Sequence, residues 1–196
     1  MIDKEKIEEI KARAKENHVP ILQDDSLQLI KTILEIRKPE SILEVGTAVG
    51  YSAINFSNHL RDNGKIVSIE LKEEMANIAR ENIQKMGLAN KIRVVLSDAY
   101  EYMKTLNETF DVVFIDAAKG QYMKYLEEAL RLTQKGSVII ADNVLLRGMV
   151  LGGYNEHKHR TAVTRLREYL NAVTTNENLE TTILDVGDGV AISVVK

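Results

Sequence analysis

Two apolar runs in this 196-residue chain end on acids. DVVFID closes on Asp116, and SVIIADN closes on Asp142 and Asn143. Either acid alone is more often a plain turn residue after a strand. Two of them, at the ends of strands that can lie side by side, would bring three oxygen donors together. Carboxylate and amide oxygens are hard ligands that suit Mg²⁺, Mn²⁺ or Ca²⁺ rather than zinc. Three protein ligands leave an octahedral ion with room for water and for acceptor oxygens. Lys119 follows Asp116 by three residues, where the next helix should begin. An adjacent cation lowers a lysine pKa, which makes a neutral base accessible. A hydroxyl held by the ion also ionises more readily than a free one. Asp116 and Lys119 are therefore the candidate catalytic residues. Asp116, Asp142 and Asn143 are the candidate metal ligands.

A second constellation lies earlier, in residues 42–52, ILEVGTAVGYS. An apolar strand carries Glu44 and runs into Gly46 and Gly50. Glycines let the backbone turn sharply and approach a ligand closely. The spacing is G-x-x-x-G, not the G-x-G-x-x-G that accommodates a pyrophosphate at a helix N-terminus. A nicotinamide dehydrogenase is disfavoured on that ground. An acid beside the turn suits a cationic ligand, and a sulfonium bearing an amino acid fits. S-adenosylmethionine is the expected cofactor. The expected reaction is a direct displacement, in which an oxyanion attacks the methyl carbon and the sulfonium leaves as a neutral thioether. The protein's main contribution is then alignment. Glu70 ends KIVSIE one strand–helix unit later, where an acid can accept hydrogen bonds from both ribose hydroxyls. Asp98 and Ala99 end the third strand, where the adenine would lie.

The elements that must position these residues alternate along the chain. Residues 3–18 place Ile7, Ile10 and Ala14 at helical spacing, and Val19-Pro20 breaks the pattern. Asp24 or Asp25 is expected to cap a second helix with Leu27, Ile30 and Leu34 on one face. Strands are expected at 41–45, 65–70, 92–96, 110–115 and 137–141. Helices are expected from about 50, at 73–86 before Gly87, at 99–106 and at 121–132. A long irregular stretch, 144–157, precedes a helix running to about 173. The end, LETTILDVGDGVAISVVK, reads as two strands around Gly-Asp-Gly. The expected fold is α/β and Rossmann-like: a mostly parallel seven-stranded sheet with helices on both faces. The last strand must run antiparallel, because a tight turn cannot join parallel neighbours. One domain is expected over residues 1–196, with 1–38 as an N-terminal helical segment. Such sheets bind ligands beyond the carboxyl ends of their strands.

The formal net charge of -3 argues against a protein that coats nucleic acid, though not against a local basic patch. The absence of cysteine excludes disulfides, thiolate metal sites and cysteine nucleophiles. The opening MIDKEKIEEI is too charged for a signal peptide, and no apolar run spans a bilayer. A cytoplasmic setting without a membrane partner is expected.

Together these segments resemble the metal-dependent class I O-methyltransferases, the family that includes catechol and caffeoyl-CoA O-methyltransferases. The resemblance runs from the second helix to the terminal hairpin. It implies Glu44, Gly46, Thr47, Ser52, Glu70, Ala99 and Asp116 around the cofactor, with Leu22 reaching it from the N-terminal segment. It implies Asp116, Asp142 and Asn143 on the metal, Lys119 as base, and a homodimer. Plant-type members read Asp-Ala-Asp-Lys at the fourth strand end, where this chain reads Asp116-Ala117-Ala118-Lys119. The second acid is missing, and so is a longer N-terminal extension, which speaks against a caffeoyl-CoA acceptor. VPILQDDS, GTAVGYSAI, FIDAAKGQY and DNVLLRGMV are instead similar to a bacterial subgroup. That subgroup methylates the 5-hydroxyl of 5-hydroxyuridine at the tRNA wobble position. The O4 and 5-hydroxyl of that base are vicinal, as a catechol's oxygens are. An RNA acceptor needs phosphate contacts. Arg147, Lys158 and Arg160, in or after the long loop, are candidates, as are Lys11, Arg13 and Lys15 on the first helix. Solvated surface charge is the plain alternative for both groups. A small catechol-like molecule is the alternative acceptor, and a non-catalytic nucleotide-binding module the alternative from another class.

Overall fold

The structure is a computed structural model that describes residues 3–146, 148–152 and 160–196. Arg147 and Lys158, two of the candidate RNA contacts, lie outside the described residues.

Helix α1 (Lys4–Glu16) is capped by Asp3, whose carboxylate accepts from the amides of Glu5 and Lys6. Helix α2 spans Asp24–Arg37. Its N-cap is Gln23, without a side-chain hydrogen bond, which corrects the expected Asp24 or Asp25 cap. Asp24 already lies inside the first turn and pairs with Lys11 at 2.6 Å instead. Lys38, in a left-handed conformation, and Pro39 then end the helix before the sheet begins.

The strands are β1 (Ser41–Val45), β2 (Lys65–Glu70), β3 (Ile92–Leu96), β4 (Val112–Ile115), β5 (Val138–Asp142), β6 (Leu179–Leu184) and β7 (Val190–Val195). Between them lie α3 (Tyr51–Phe56), α4 (Glu73–Lys85), α5 (Ala99–Thr105), α6 (Tyr122–Arg131) and α7 (Arg160–Thr175). They form one seven-stranded sheet in the order β3-β2-β1-β4-β5-β7-β6. The first five strands pair in parallel, and β7 runs antiparallel to both β5 and β6. The expected mixed sheet and terminal hairpin are therefore present. None of the described helices is long and apolar enough to cross a membrane.

Side chains alternate across each strand, and the two faces feed two cores. Leu43, Val45, Val113, Ile115 and Ile139 face α5, α6 and α7. Ile42, Ile66, Val112, Phe114 and Ile140 face α1 to α4. Phe56 packs edge-on against Phe114 at 5.1 Å, which fixes the short α3 over the centre of the sheet.

The register aligns the strand ends. Ile69 pairs with Val45, Val45 with Ile115, and Ile115 with Ala141. The residues one step further on are Glu70, Gly46, Asp116 and Asp142. Four of the candidate residues thus form a row along one edge of the sheet. Strand order reverses between β1 and β4, where open α/β sheets place their ligands.

Candidate active site

The ladders of β1 with β4 and of β1 with β2 both continue past the strand ends. Asp116 N donates to Val45 O at 2.9 Å, and Gly46 N donates to Ile69 O at 3.0 Å. This close crossing requires glycine. Gly46 has φ +102°, and a Cβ there would lie 2.1 Å from the Asp116 carbonyl oxygen. The turn then passes through Ala48, also at positive φ, and its amide donates to Glu70 Oε2 at 2.9 Å. The other Glu70 oxygen accepts from Lys72 N at 2.9 Å. Glu70 therefore stands at the rim with its carboxylate fixed by two backbone amides. Each oxygen keeps a lone pair for a further donor.

Glu44 is not in the rim. It shares a sheet face with Ile42 and is fully buried. Ser52 Oγ donates to one of its oxygens at 2.5 Å, and Ser68 Oγ donates to the other. Thr47 Oγ1 lies 2.6 Å from Ser68 Oγ and completes the network. Burial pushes the Glu44 carboxyl up to about 7, against the two hydroxyl bonds, and the charges of Asp116 and Glu70 add to the rise. Glu44 thus ties β1, β2 and α3 together beneath the turn. Leu22 is buried in the same apolar cluster as Val49 and Tyr51. Asp98 caps α5 by accepting from Glu101 N at 3.0 Å, and Ala99 begins that helix.

At the next strand ends the charges converge. Lys119 Nζ donates to Asn143 Oδ1 at 3.1 Å and lies 3.9 Å from Asp116 Oδ1. Asn143 Nδ2 donates to Asp142 Oδ2, and Asn143 itself sits at φ +58°. Asp142 is fully buried, and its Oδ1 has no hydrogen-bond partner among the described residues. Burial raises the Asp142 carboxyl to about 7, and the Asp116 charge adds to it. The Asn143 backbone, the Ser26 hydroxyl and Lys119 act in the opposite direction. Ser26 Oγ faces this carboxylate without meeting ordinary hydrogen-bond geometry, and is also buried, with no partner among the described residues. Asp116 is likewise raised by burial, against the pull of Lys119. Two carboxylates, one raised by the charge of the other, with a buried oxygen that has no partner among the described residues, fit a divalent cation. The Asn143 amide oxygen completes a set of hard donors.

The loop after β5 is shaped from outside. Val144 N and Leu145 N donate to Gly189 O and Asp188 O in the β6–β7 turn, both at 3.0 Å. Arg167, on α7, donates to the carbonyls of Val150 at 3.0 Å, Met149 at 3.4 Å and Gly152 at 2.6 Å.

A family model described as O-methyltransferase matches residues 2–196. The chain is 33% identical over 178 residues to the catechol O-methyltransferase of Niastella koreensis, covering 86% of this chain and 79% of that one. This chain belongs to that O-methyltransferase family. It is an S-adenosylmethionine-dependent O-methyltransferase by that membership. The caffeoyl-CoA O-methyltransferase of Stellaria longipes is 30% identical, covering 83% of this chain and 71% of its own. The O-methyltransferase from Bacillus cereus, solved with S-adenosylhomocysteine, superposes with a TM-score of 0.88 at 29% identity, covering 98% and 91% of the two chains. TomG from Streptomyces achromogenes, solved with S-adenosylmethionine, gives 0.87 at 27% identity, covering 98% and 90%.

Within this O-methyltransferase the structure brings together Asp116, Lys119, Asp142 and Asn143, and sets Gly46 and Glu70 beside them. Arg160 is the exposed first residue of α7. The sequence reading missed Ser68, Ser26, Tyr122 and Arg167. Ser68 had a signal, a polar residue inside the apolar run KIVSIE.

Proposed function

We propose that this O-methyltransferase works with a divalent cation held by Asp116, Asp142 and Asn143, and methylates a hydroxyl that has a second oxygen beside it. The observation that carries the reading is Asp142 Oδ1, a buried carboxylate oxygen without a hydrogen-bond partner among the described residues. Such a group is costly to leave unsatisfied. When bound, the ion supplies positive charge that favours the ionised acceptor hydroxyl. Lys119, in its neutral form, takes the hydroxyl proton at Nζ, and Asp116 and Asn143 hold that nitrogen in place. Glu70 and the 46–50 turn hold the nucleoside end of the cofactor. Methyl passes directly to the acceptor oxygen with no covalent enzyme intermediate.

The acceptor we favour is 5-hydroxyuridine at the tRNA wobble position, on the strength of the four subgroup-like segments and the vicinal oxygens of the base. A small catechol is the second reading, supported by the catechol O-methyltransferase relative. The test supplies radiolabelled cofactor and Mg²⁺ with hydroxyuridine-containing tRNA and with a catechol panel. Label in the tRNA, abolished by chelator, is expected. Catechol turnover with inert tRNA would transfer the assignment to the second reading. Full activity in chelator would overturn the metal.

A further inference from the structure

One turn of chain grips the Asp142–Asn143 pair at two points. Lys119 and Tyr122 lie three residues apart, where a 3-10 turn over Lys119–Gln121 leads into α6. Lys119 Nζ donates to the Asn143 side chain at 3.1 Å, and Tyr122 Oη donates to the Asp142 carbonyl at 2.8 Å. Residues three apart on such a turn share one face, so consecutive residues of another strand end can meet both. The Tyr122 ring is fully buried and packs edge-on against Tyr169 at 5.4 Å.

The gripped residues need holding. Asn143 sits at φ +58°, which few non-glycine residues adopt without support. The Asp142 carbonyl oxygen is the acceptor immediately before that strained residue. A buried hydroxyl fixed on it sets the direction in which Asp142 Oδ1 and Asn143 Oδ1 point. The β6–β7 turn holds the far side through Val144 N and Leu145 N. Tyr122 holds the near side.

We infer that Tyr122 is a positioning residue that orients the Asp142–Asn143 ligand pair. The inference rests on the proposed metal reading. Tyr122 is fully buried, and its hydroxyl is bonded to a backbone carbonyl. Its effect is on metal affinity, not on the cofactor.

Tyr169 supplies a matched control. It is fully buried beside Tyr122, and its hydroxyl has no hydrogen-bond partner among the described residues. Tyr122→Phe and Tyr169→Phe each delete one buried phenolic oxygen, but only the first deletes a hydrogen bond. Mn²⁺ binding is followed by loss of the free-ion electron paramagnetic resonance signal, and S-adenosylhomocysteine binding by calorimetry. Tyr122→Phe is expected to weaken Mn²⁺ about tenfold, the loss of one buried hydrogen bond. It should leave S-adenosylhomocysteine within twofold, and Tyr169→Phe should leave both unchanged. Equal Mn²⁺ affinity in wild type and Tyr122→Phe overturns the inference. So does a parallel loss of S-adenosylhomocysteine, which marks general damage. If Tyr122→Phe does not fold, replacement of Tyr122 by 4-aminophenylalanine, which keeps an N–H donor at the para position of the same ring, should bind Mn²⁺ within threefold of wild type; a tenfold loss there refutes it. A wild type that binds no Mn²⁺, with Asp142→Ala indistinguishable from it, refutes the metal reading itself.

Discussion

Glu44 offers a measurement that isolates one buried group. Its carboxyl is fully enclosed, accepts from Ser52 and Ser68, and is raised from an ordinary 4.5 to about 7, chiefly by burial. Both folded and unfolded chains carry it protonated below pH 4.5, so its contribution to stability is fully present there. As pH rises from 4.5 through about 7, the unfolded chain ionises first and that stability is lost. At 1.36 kcal/mol per pH unit, the rise corresponds to about 3 kcal/mol by pH 8. Glu44→Gln mimics the protonated acid, since its amide can donate to one hydroxyl and accept from the other. Urea unfolding of wild type and Glu44→Gln, without metal or cofactor, should give curves within about 1 kcal/mol of each other at pH 4.5. The variant should then gain on wild type until it leads by about 3 kcal/mol at pH 8. Asp142 also titrates near 7, but it does so in both proteins and cancels in the difference. A gap that stays flat from pH 4.5 to 8 would refute the buried, proton-bearing Glu44.

Gly46→Ala should cost at least about 3 kcal/mol in urea unfolding, because its Cβ would meet the Asp116 carbonyl at 2.1 Å and its φ is +102°; a loss under about 1 kcal/mol would mean the crossing is looser than described. Asp142→Asn should abolish Mn²⁺ binding yet raise metal-free stability at pH 8 by at least about 1 kcal/mol, since it removes a buried charge one of whose oxygens has no partner among the described residues. A destabilised variant would contradict that account of the site. Lys119→Met should lower methyl transfer by at least about 100-fold, the scale of a lost general base. The same variant should bind Mn²⁺ no more weakly than wild type, because it removes an ammonium 3.1 Å from Asn143 Oδ1; tenfold weaker binding would recast Lys119 as a support for the ligands.

The sheet was legible because its inner strands are buried on both faces and read as apolar runs, VVFI and VIIAD among them. The candidate site was legible where polar residues sit at a strand's last position or one residue past it, since neighbouring parallel strands end level. Glu44 shows where that reasoning stopped. Expected as an acid beside the cofactor, it is fully buried and accepts from Ser52 and Ser68, two hydroxyls whose approach the sequence does not show. Tyr122 was beyond reach for another reason. Its partner is a backbone carbonyl 20 residues away, and side-chain spacing carries no record of carbonyls. Arg167 likewise spends its guanidinium on three carbonyls, where a sequence shows only another surface charge in α7.

Those three carbonyls have a bearing on how this scaffold could be re-equipped. Met149, Val150 and Gly152 take their shape from an arginine 15 to 18 residues further along the chain, not from their own side chains. A loop grafted here from a relative would bring its sequence but leave its anchor behind. The smallest transplantable unit is therefore the loop together with α7. A chimaera that exchanges both should keep the fold of its parents, whereas one that exchanges the loop alone inherits an arginine aimed at carbonyls that have moved.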